Sequence, residues 1–186
     1  SMETSSIIDS GAAQKVVSKY LAGKERILDL GCGSGKFCAD FANCVGYDLP
    51  ELDLNKDKIP HPDFSFDIVT AWNVIEHLEN PHHFAREAQR VLRPACLLFV
   101  ATPNIFNLAN KYFFLRTGEM RRFTKNSKHK FIMTKSLVKN IFDKFFILEA
   151  GFHRTEYPYW VGFLNRFNLA PREWNGKTIY YVFKKL

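Results

Sequence analysis

Asp29, Gly31, Gly33, Gly35 and Asp48 have the types and spacing of a ligand cradle. Ile27-Leu28-Asp29-Leu30 suits a strand buried on both faces of a parallel sheet, and it runs straight into three glycines spaced by two. Glycine admits positive φ and lets the main chain come within contact distance of a bound molecule, so this strand stops at a ligand. From Lys36 a helical pattern resumes, predicted over about 36–43, with its N-terminus facing the same spot. A dinucleotide fingerprint would read G-x-G-x-x-G; here the third glycine comes one residue early and position 36 is Lys, which weakens a pyrophosphate reading. His77 and His129 are the side chains best suited to carry a proton near neutral pH, because histidine needs little tuning to do so.

The elements that must position these residues alternate between strand and helix. Ile7 to Leu21 repeats near 3.6 residues and predicts an amphipathic helix closed by Gly23. Strands are predicted at 26–30 and 45–47, with a stub around Leu52–Leu54, since Asp48 to Leu54 leaves no room for a helix between the second and third strands. Pro60 to Phe66 is a proline-bounded turn into a strand from Phe66. A helix follows over about 82–92, and a fifth strand over 96–104. Arg93-Pro94-Ala95 makes the turn between them without glycine, which works if φ stays negative. Thr134 is a good N-cap for an amphipathic helix to Phe145, and strands are predicted at 146–153 and 177–183.

Asp29 followed by G-x-G-x-G, with Asp48 closing the next strand, resembles motif I of the class I S-adenosylmethionine-dependent methyltransferases. Phe66 to Leu78 resembles that family's fourth strand, and Phe84 to Asn104 its helix, turn and fifth strand. The resemblance covers about residues 25 to 150. It implies one three-layer α/β domain over 1–186 with a Rossmann-like, mostly parallel seven-strand sheet, the last strand antiparallel, shortened after strand two. It implies S-adenosylmethionine as cofactor, held by Asp29, Gly31, Cys32, Gly33, Gly35, Asp48, Leu49, Asp53, Asn73 and Val74, with Asp48 on the ribose hydroxyls. For Asp53 a solvent-exposed turn carboxylate is an equal alternative to an adenine contact.

The activity so implied is methyl transfer to an oxygen or nitrogen of a small acceptor. Aligning acceptor, methyl carbon and leaving sulfur is worth ~7–11 kcal/mol, so a base matters only for a protonated acceptor, and His77 and His129 are the candidates. Glu76-His77 resembles the Glu-x-x-Glu-His phrase at which ubiquinone-pathway O-methyltransferases and small-RNA 3′-terminal 2′-O-methyltransferases place metal ligands. Asn73 stands at the first Glu, which removes a charged oxygen ligand for a hard cation, and no metal is expected.

The length fits one domain and the apolar fraction of 46% is enough for a core. No apolar run approaches the ~20 residues of a membrane span, no signal peptide is visible, and a cytoplasmic location is expected. The four cysteines lack C-x-x-C spacing, read as small buried residues, and predict no disulfide. The net charge of +7 is concentrated: 111–144 holds ten bases against Glu119 and Asp143, so the remainder is close to neutral. Within it, about 105–133 mixes bases with aromatics and reads as a substrate lid, and Tyr157 to Gly176 as a second pocket wall. Such a lid suits an anionic acceptor; RNA is the alternative substrate, and a catalytically inactive partner protein the alternative role. The acceptor's identity and the oligomeric state are not legible.

Overall fold

The computed structural model describes residues 10–121, 123, 128–153 and 176–186. Period-two alternation in the strands sends side chains to two faces, and each face finds its own cover. Strands β1 (Ile27–Leu30), β2 (Cys44–Tyr47), β3 (Phe66–Trp72), β4 (Leu92–Pro103), β5 (Phe146–His153) and β6 (Thr178–Lys185) form one sheet in the order β2-β1-β3-β4-β6-β5. β1 to β4 are mutually parallel, and β6 runs antiparallel to both β4 and β5. Leu28, Leu30, Val69, Ala71, Leu98, Val100, Tyr181 and Phe183 pack on one side with α2 (Pro81–Val91) and α4 (Lys135–Phe142). Ile27, Ile68, Trp72, Phe99, Ala101, Tyr180 and Val182 pack on the other with Ala13 and Val17 of α1 (Ser10–Val17). The result is the expected three-layer α/β arrangement with an antiparallel last strand.

The helices start where the sequence supplies caps. Asn80 accepts from the His83 amide at 3.1 Å with Pro81 at N1, and Thr134 Oγ1 accepts from the Leu137 amide at 3.1 Å. α3 (Leu108–Thr117) is capped by Asn107, which accepts from the Asn110 amide at 2.8 Å, and ends at Gly118.

Four expectations need correction. The stub strand at Leu52–Leu54 is absent: 48–57 instead folds as turns, with Leu52 donating to Asp48 O at 3.2 Å and Asp57 to Asp53 O at 2.8 Å. The sheet therefore has six strands among the described residues, and Leu52, Leu54 and Ile59 reach the core from loop backbone. The helix over 36–43 is reduced to a 3-10 turn, Cys38–Asp40, whose larger rise covers the return to β2 with fewer residues. That turn brings Cys38 and Cys44 together as a disulfide, Cα to Cα 5.0 Å, contrary to the absence predicted from spacing. Ala95 takes φ 62°, so the Arg93-Pro94-Ala95 bend does use the left-handed region despite lacking glycine. The expected wall at 157–176 falls, Gly176 apart, outside the described residues, as does part of the lid.

Candidate cofactor and acceptor cleft

The chain leaves β1 toward β2 on one side and returns through β3 on the other, so the carboxyl ends of β1 and β3 bracket the point where strand order reverses. Open α/β sheets bind ligands there. A cleft of about 240 Å³ opens at this point, lined by Gly31 and Gly33 after β1, Asp48 and Leu49 after β2, and Asn73, Val74 and His77 after β3. Leu52, Asp53, Leu54, Asn55, Trp72 and Leu78 complete the lining.

The loop after β1 is fixed from both sides. Gly31 and Cys32 donate to Tyr47 O at 2.7 and 3.1 Å. Gly33 donates to Asp48 Oδ2 at 2.8 Å and Leu49 to Asp48 Oδ1 at 2.8 Å, so each carboxylate oxygen is oriented by one amide and keeps a further lone pair for a ligand. A Cβ on Gly31 would overlap Val74, which brings the ends of β1 and β3 to backbone distance. Asp29 sits beneath the loop, 1% exposed, and accepts from Thr70 Oγ1 at 2.6 Å through its Oδ1. Burial, and next the charge of Asp48, push its carboxyl up to about 6 against the pull of the Thr70 hydrogen bond. A cation bound here would relieve both effects.

At the other end, Asn73 has φ 51°, is 9% exposed, and its Oδ1 is buried without a hydrogen-bond partner among the described residues. An orphaned acceptor lining a cleft is one a ligand can satisfy. His77 Nδ1 lies 3.2 Å from Lys128 O, so a proton on Nδ1 donated there leaves the Nε2 lone pair available. His77 stacks on His129 with centroids 4.6 Å apart and 26° between planes, and Phe123 lies 5.3 Å beyond His129. Burial, then the neighbouring charges of His129, Lys128 and Lys130, hold His77 below the usual imidazole range despite the Lys128 carbonyl. The shift favours the neutral imidazole, the form a base requires.

Ligand atoms of buried Glu76, of His77 and of His129 lie within 4.8 Å of one another. A metal must lie in the plane of each imidazole it binds, whereas these rings are stacked side by side. One ring would have to turn for both to share an ion.

Of the residues predicted from sequence, Gly31, Gly33, Asp48, Leu49, Asp53, Asn73, Val74 and His77 line this cleft; Asp29, Cys32, Gly35 and His129 do not. Asp29 supports the loop, Cys32 packs against Gly46, and His129 backs His77. Asp53 Oδ1 is already taken by the amide and Nδ2 of Asn55 at 3.0 and 2.9 Å, and its Oδ2 lies 3.4 Å from Lys56 Nζ. Thr70, Trp72 and Asn55 were not foreseen. Asn55 Oδ1 accepts from the Glu79 and Asn80 amides at 2.6 and 3.1 Å and ties the two lips together. Thr70 could have been found only from its pairing opposite Asp29 across β1 and β3.

This architecture is that of the class I S-adenosylmethionine-dependent methyltransferases. The methyltransferase domain family Methyltransf_23 matches residues 9–145, and the chain belongs to it. A probable S-adenosylmethionine-dependent methyltransferase of Mycobacterium tuberculosis (strain H37Rv) is 35% identical over an alignment covering 42% of this chain and 35% of that protein. A ubiquinone biosynthesis O-methyltransferase of Maricaulis maris is 29% identical over 42% of this chain and 41% of its own. The chain thus spans well under half the length of these curated relatives. Among solved structures, an S-adenosylmethionine-dependent methyltransferase of Mesorhizobium loti superposes with TM-score 0.63 at 19% identity, covering 94% of this chain and 98% of the other. One of Methanosarcina mazei gives 0.61 at 19% identity, covering 92% and 97%. S-adenosylmethionine is the cofactor of this family, and the cleft's chemistry fits it: the oriented Asp48 carboxylate keeps lone pairs for a diol, and the Asp29 carboxyl lies buried beneath the loop.

Proposed function

We propose that the chain transfers the methyl group of S-adenosylmethionine to an oxygen or nitrogen of a small, anionic acceptor. The observation that carries this reading is the cleft with Asp48 at one end and Asn73 and His77 at the other. The cofactor, when bound, supplies an electrophilic methyl carbon on a sulfonium. Asp48 accepts hydrogen bonds from ligand hydroxyls, Val74 and Gly31 bring the two lips together, and Asn73 Oδ1 accepts from an N–H or O–H donor. His77 Nε2 takes the proton of a hydroxyl or amine acceptor, while burial, and to a lesser extent His129, favours its neutral form beforehand and the Lys128 carbonyl holds its tautomer. Lys128 lies beside His77, and with Lys130, which is paired with Glu79, it belongs to the basic run that supports an anionic acceptor and the reading of 105–133 as a lid over it.

The test begins with S-adenosylmethionine and S-adenosylhomocysteine in a thermal-shift titration of wild type and Asp48→Ala. Saturation at 100 times Kd raises stability by about 2.7 kcal/mol, and the shift is lost in the variant. Labelled methyl transfer is then measured over anionic phenols, carboxylates and amines, with His77→Ala as control. Binding of cofactor with no turnover across those classes would overturn the reading and favour a partner subunit; transfer only to RNA would move the acceptor to nucleic acid.

A further inference from the structure

Three of the four cysteines meet beside the glycine loop. Cys38 and Cys44 are joined as a disulfide, and Cys32, in the loop between Gly31 and Gly33, is a free thiol. A Cβ placed on Gly46 would lie 2.9 Å from Cys32 Sγ and 3.6 Å from Cys38 Sγ, so the two sulfurs are no further apart than those distances combined. Gly46 makes that approach possible, since its Cβ would also stand 2.8 Å from Cys32 Cβ. All three cysteines are half-buried, so each keeps some contact with solvent.

A thiolate next to a disulfide exchanges with it by attack on one sulfur. Here the step balances without an added oxidant or reductant. Cys32 attacks Cys38 Sγ, the Cys32–Cys38 bond forms, the Cys38–Cys44 bond breaks, and the proton released by Cys32 is matched by one taken up at Cys44. Cys38 stands midway in sequence, six residues from Cys44 and the same number from Cys32. The two rings are equal in length, so chain entropy does not choose between them and the fold does. In the Cys38–Cys44 form the loop is held by Cys32 N on Tyr47 O at 3.1 Å, Gly35 N on Cys32 O at 2.9 Å and Gly33 N on Asp48 Oδ2 at 2.8 Å. Drawing Cys32 Sγ to the bonded separation of about 2.05 Å from Cys38 moves residue 32 and loosens the amides that orient Asp48.

We propose that Cys32, Cys38 and Cys44 form a thiol–disulfide exchange site that carries the disulfide into the glycine loop and weakens ligand binding at Asp48. The ligand half rests on the reading of the cleft as the S-adenosylmethionine site; the exchange itself does not. Coupling of this kind is reciprocal: a ligand that needs the loop in place suppresses exchange by the factor by which exchange weakens the ligand. Burial, then the charges of Asp29 and Asp48, and last that of Glu51, push the Cys32 thiol up to about 11, with its own amide pulling the other way. The attacking thiolate is therefore scarce at neutral pH, and the exchange gains about tenfold in rate per pH unit as pH rises toward that value.

The experiment maps disulfides in the full chain by acid quench and peptide mass spectrometry. Wild type held at about pH 9 is expected to contain a fraction linked Cys32–Cys38 with Cys44 free, and that fraction should shrink when S-adenosylhomocysteine is present. In Cys44→Ser, glutathione disulfide is expected to close Cys32–Cys38 with release of two glutathione thiols per bond. S-adenosylhomocysteine should then bind at least about tenfold more weakly by thermal shift, and dithiothreitol should restore it. Cys32→Ser should show no such linkage and no redox dependence of binding. The wild-type arm needs no substitution and decides the exchange even if Cys44→Ser does not fold. Absence of the Cys32–Cys38 linkage would overturn the proposal, as would a linkage that leaves ligand affinity unchanged. Linkage in a chain that binds S-adenosylhomocysteine in no redox state would support the exchange and overturn the cofactor reading instead.

Discussion

A Cβ at Gly31 would overlap Cγ2 of Val74. The two residues follow β1 and β3, so this contact sets the width of the cleft between the strand ends. Gly31 also has φ 76°, where an alanine is strained by about 1–2 kcal/mol. Gly31→Ala should therefore destabilise the domain by about 2 kcal/mol or more and abolish the cofactor-induced shift. Gly35, with φ 71° but open space around its Cβ position, serves as the control: Gly35→Ala should cost about 1–2 kcal/mol and no more. Urea unfolding of both variants, and of Gly31→Ala with Val74→Ala, checks the geometry. The double variant should recover the steric share of the loss; equal costs at positions 31 and 35 would contradict it.

The motif around Gly31 was readable because glycine and a buried strand leave local signatures. β1, β3, α2, α4 and β5 were readable for the same reason, through periodicity and caps such as Asn80 and Thr134. What could not be read depends on residues brought together by the fold. Thr70 is an unremarked strand residue until β3 aligns it with Asp29, and Cys38 and Cys44 become partners only because the segment between them tightens into a 3-10 turn. The stub strand failed because burial of Leu52 and Leu54 looks the same from sequence whether the backbone is strand or turn. His129 was singled out by type alone, and its stacking on His77 is a tertiary fact.

The His77–His129 stack predicts a pH profile. His77 is held below the usual imidazole value by burial first and by His129 among the neighbouring charges. If Nε2 is the base, kcat/KM rises with pH along an acid limb set by an apparent pKa below the reference of about 6.5. His129→Ala removes one of the neighbours that lower His77 and also uncovers the ring, so the limb should move to higher pH while the neutral-pH rate changes less. His77→Ala should lower the rate about 100-fold or more and flatten the limb. A limb in His129→Ala that stays put, or moves to lower pH, would show that His129 does not tune the base.

Asp29 gives a stability prediction of opposite character. Its carboxyl, pushed up to about 6 in the folded chain from the ordinary 3.8, binds a proton in the native state at pH values where the unfolded chain has released it. Stability from this group is fully present below the unfolded value and is lost as pH rises through about 6. At neutral pH the ligand-free domain should carry a cost on the order of 2–3 kcal/mol. Asp29→Asn keeps an oxygen for the Thr70 hydroxyl and removes the charge. It should melt higher than wild type at about pH 7, with the difference vanishing toward about pH 4. The same variant should bind the cationic cofactor more weakly, because the charge it would have neutralised is gone. A variant less stable than wild type at neutral pH would mean the carboxylate is compensated by the fold itself.

Ala95 offers a prediction free of the site. It occupies φ 62° in the bend within β4, where the register between β3 and β4 shifts between Phe66 and Ile68. A left-handed alanine costs about 1–2 kcal/mol, and glycine removes most of that while adding back some unfolded-state entropy. Ala95→Gly should thus stabilise the domain by about 0.5–1 kcal/mol with no change in cofactor affinity. Because the bend lies at the opposite end of the sheet from the cleft, any change in binding would show that β4 transmits strain along its length to Asn73, whose amide donates to Ala101 O at 2.9 Å. Chemical denaturation and a cofactor titration on the same preparation separate the two outcomes.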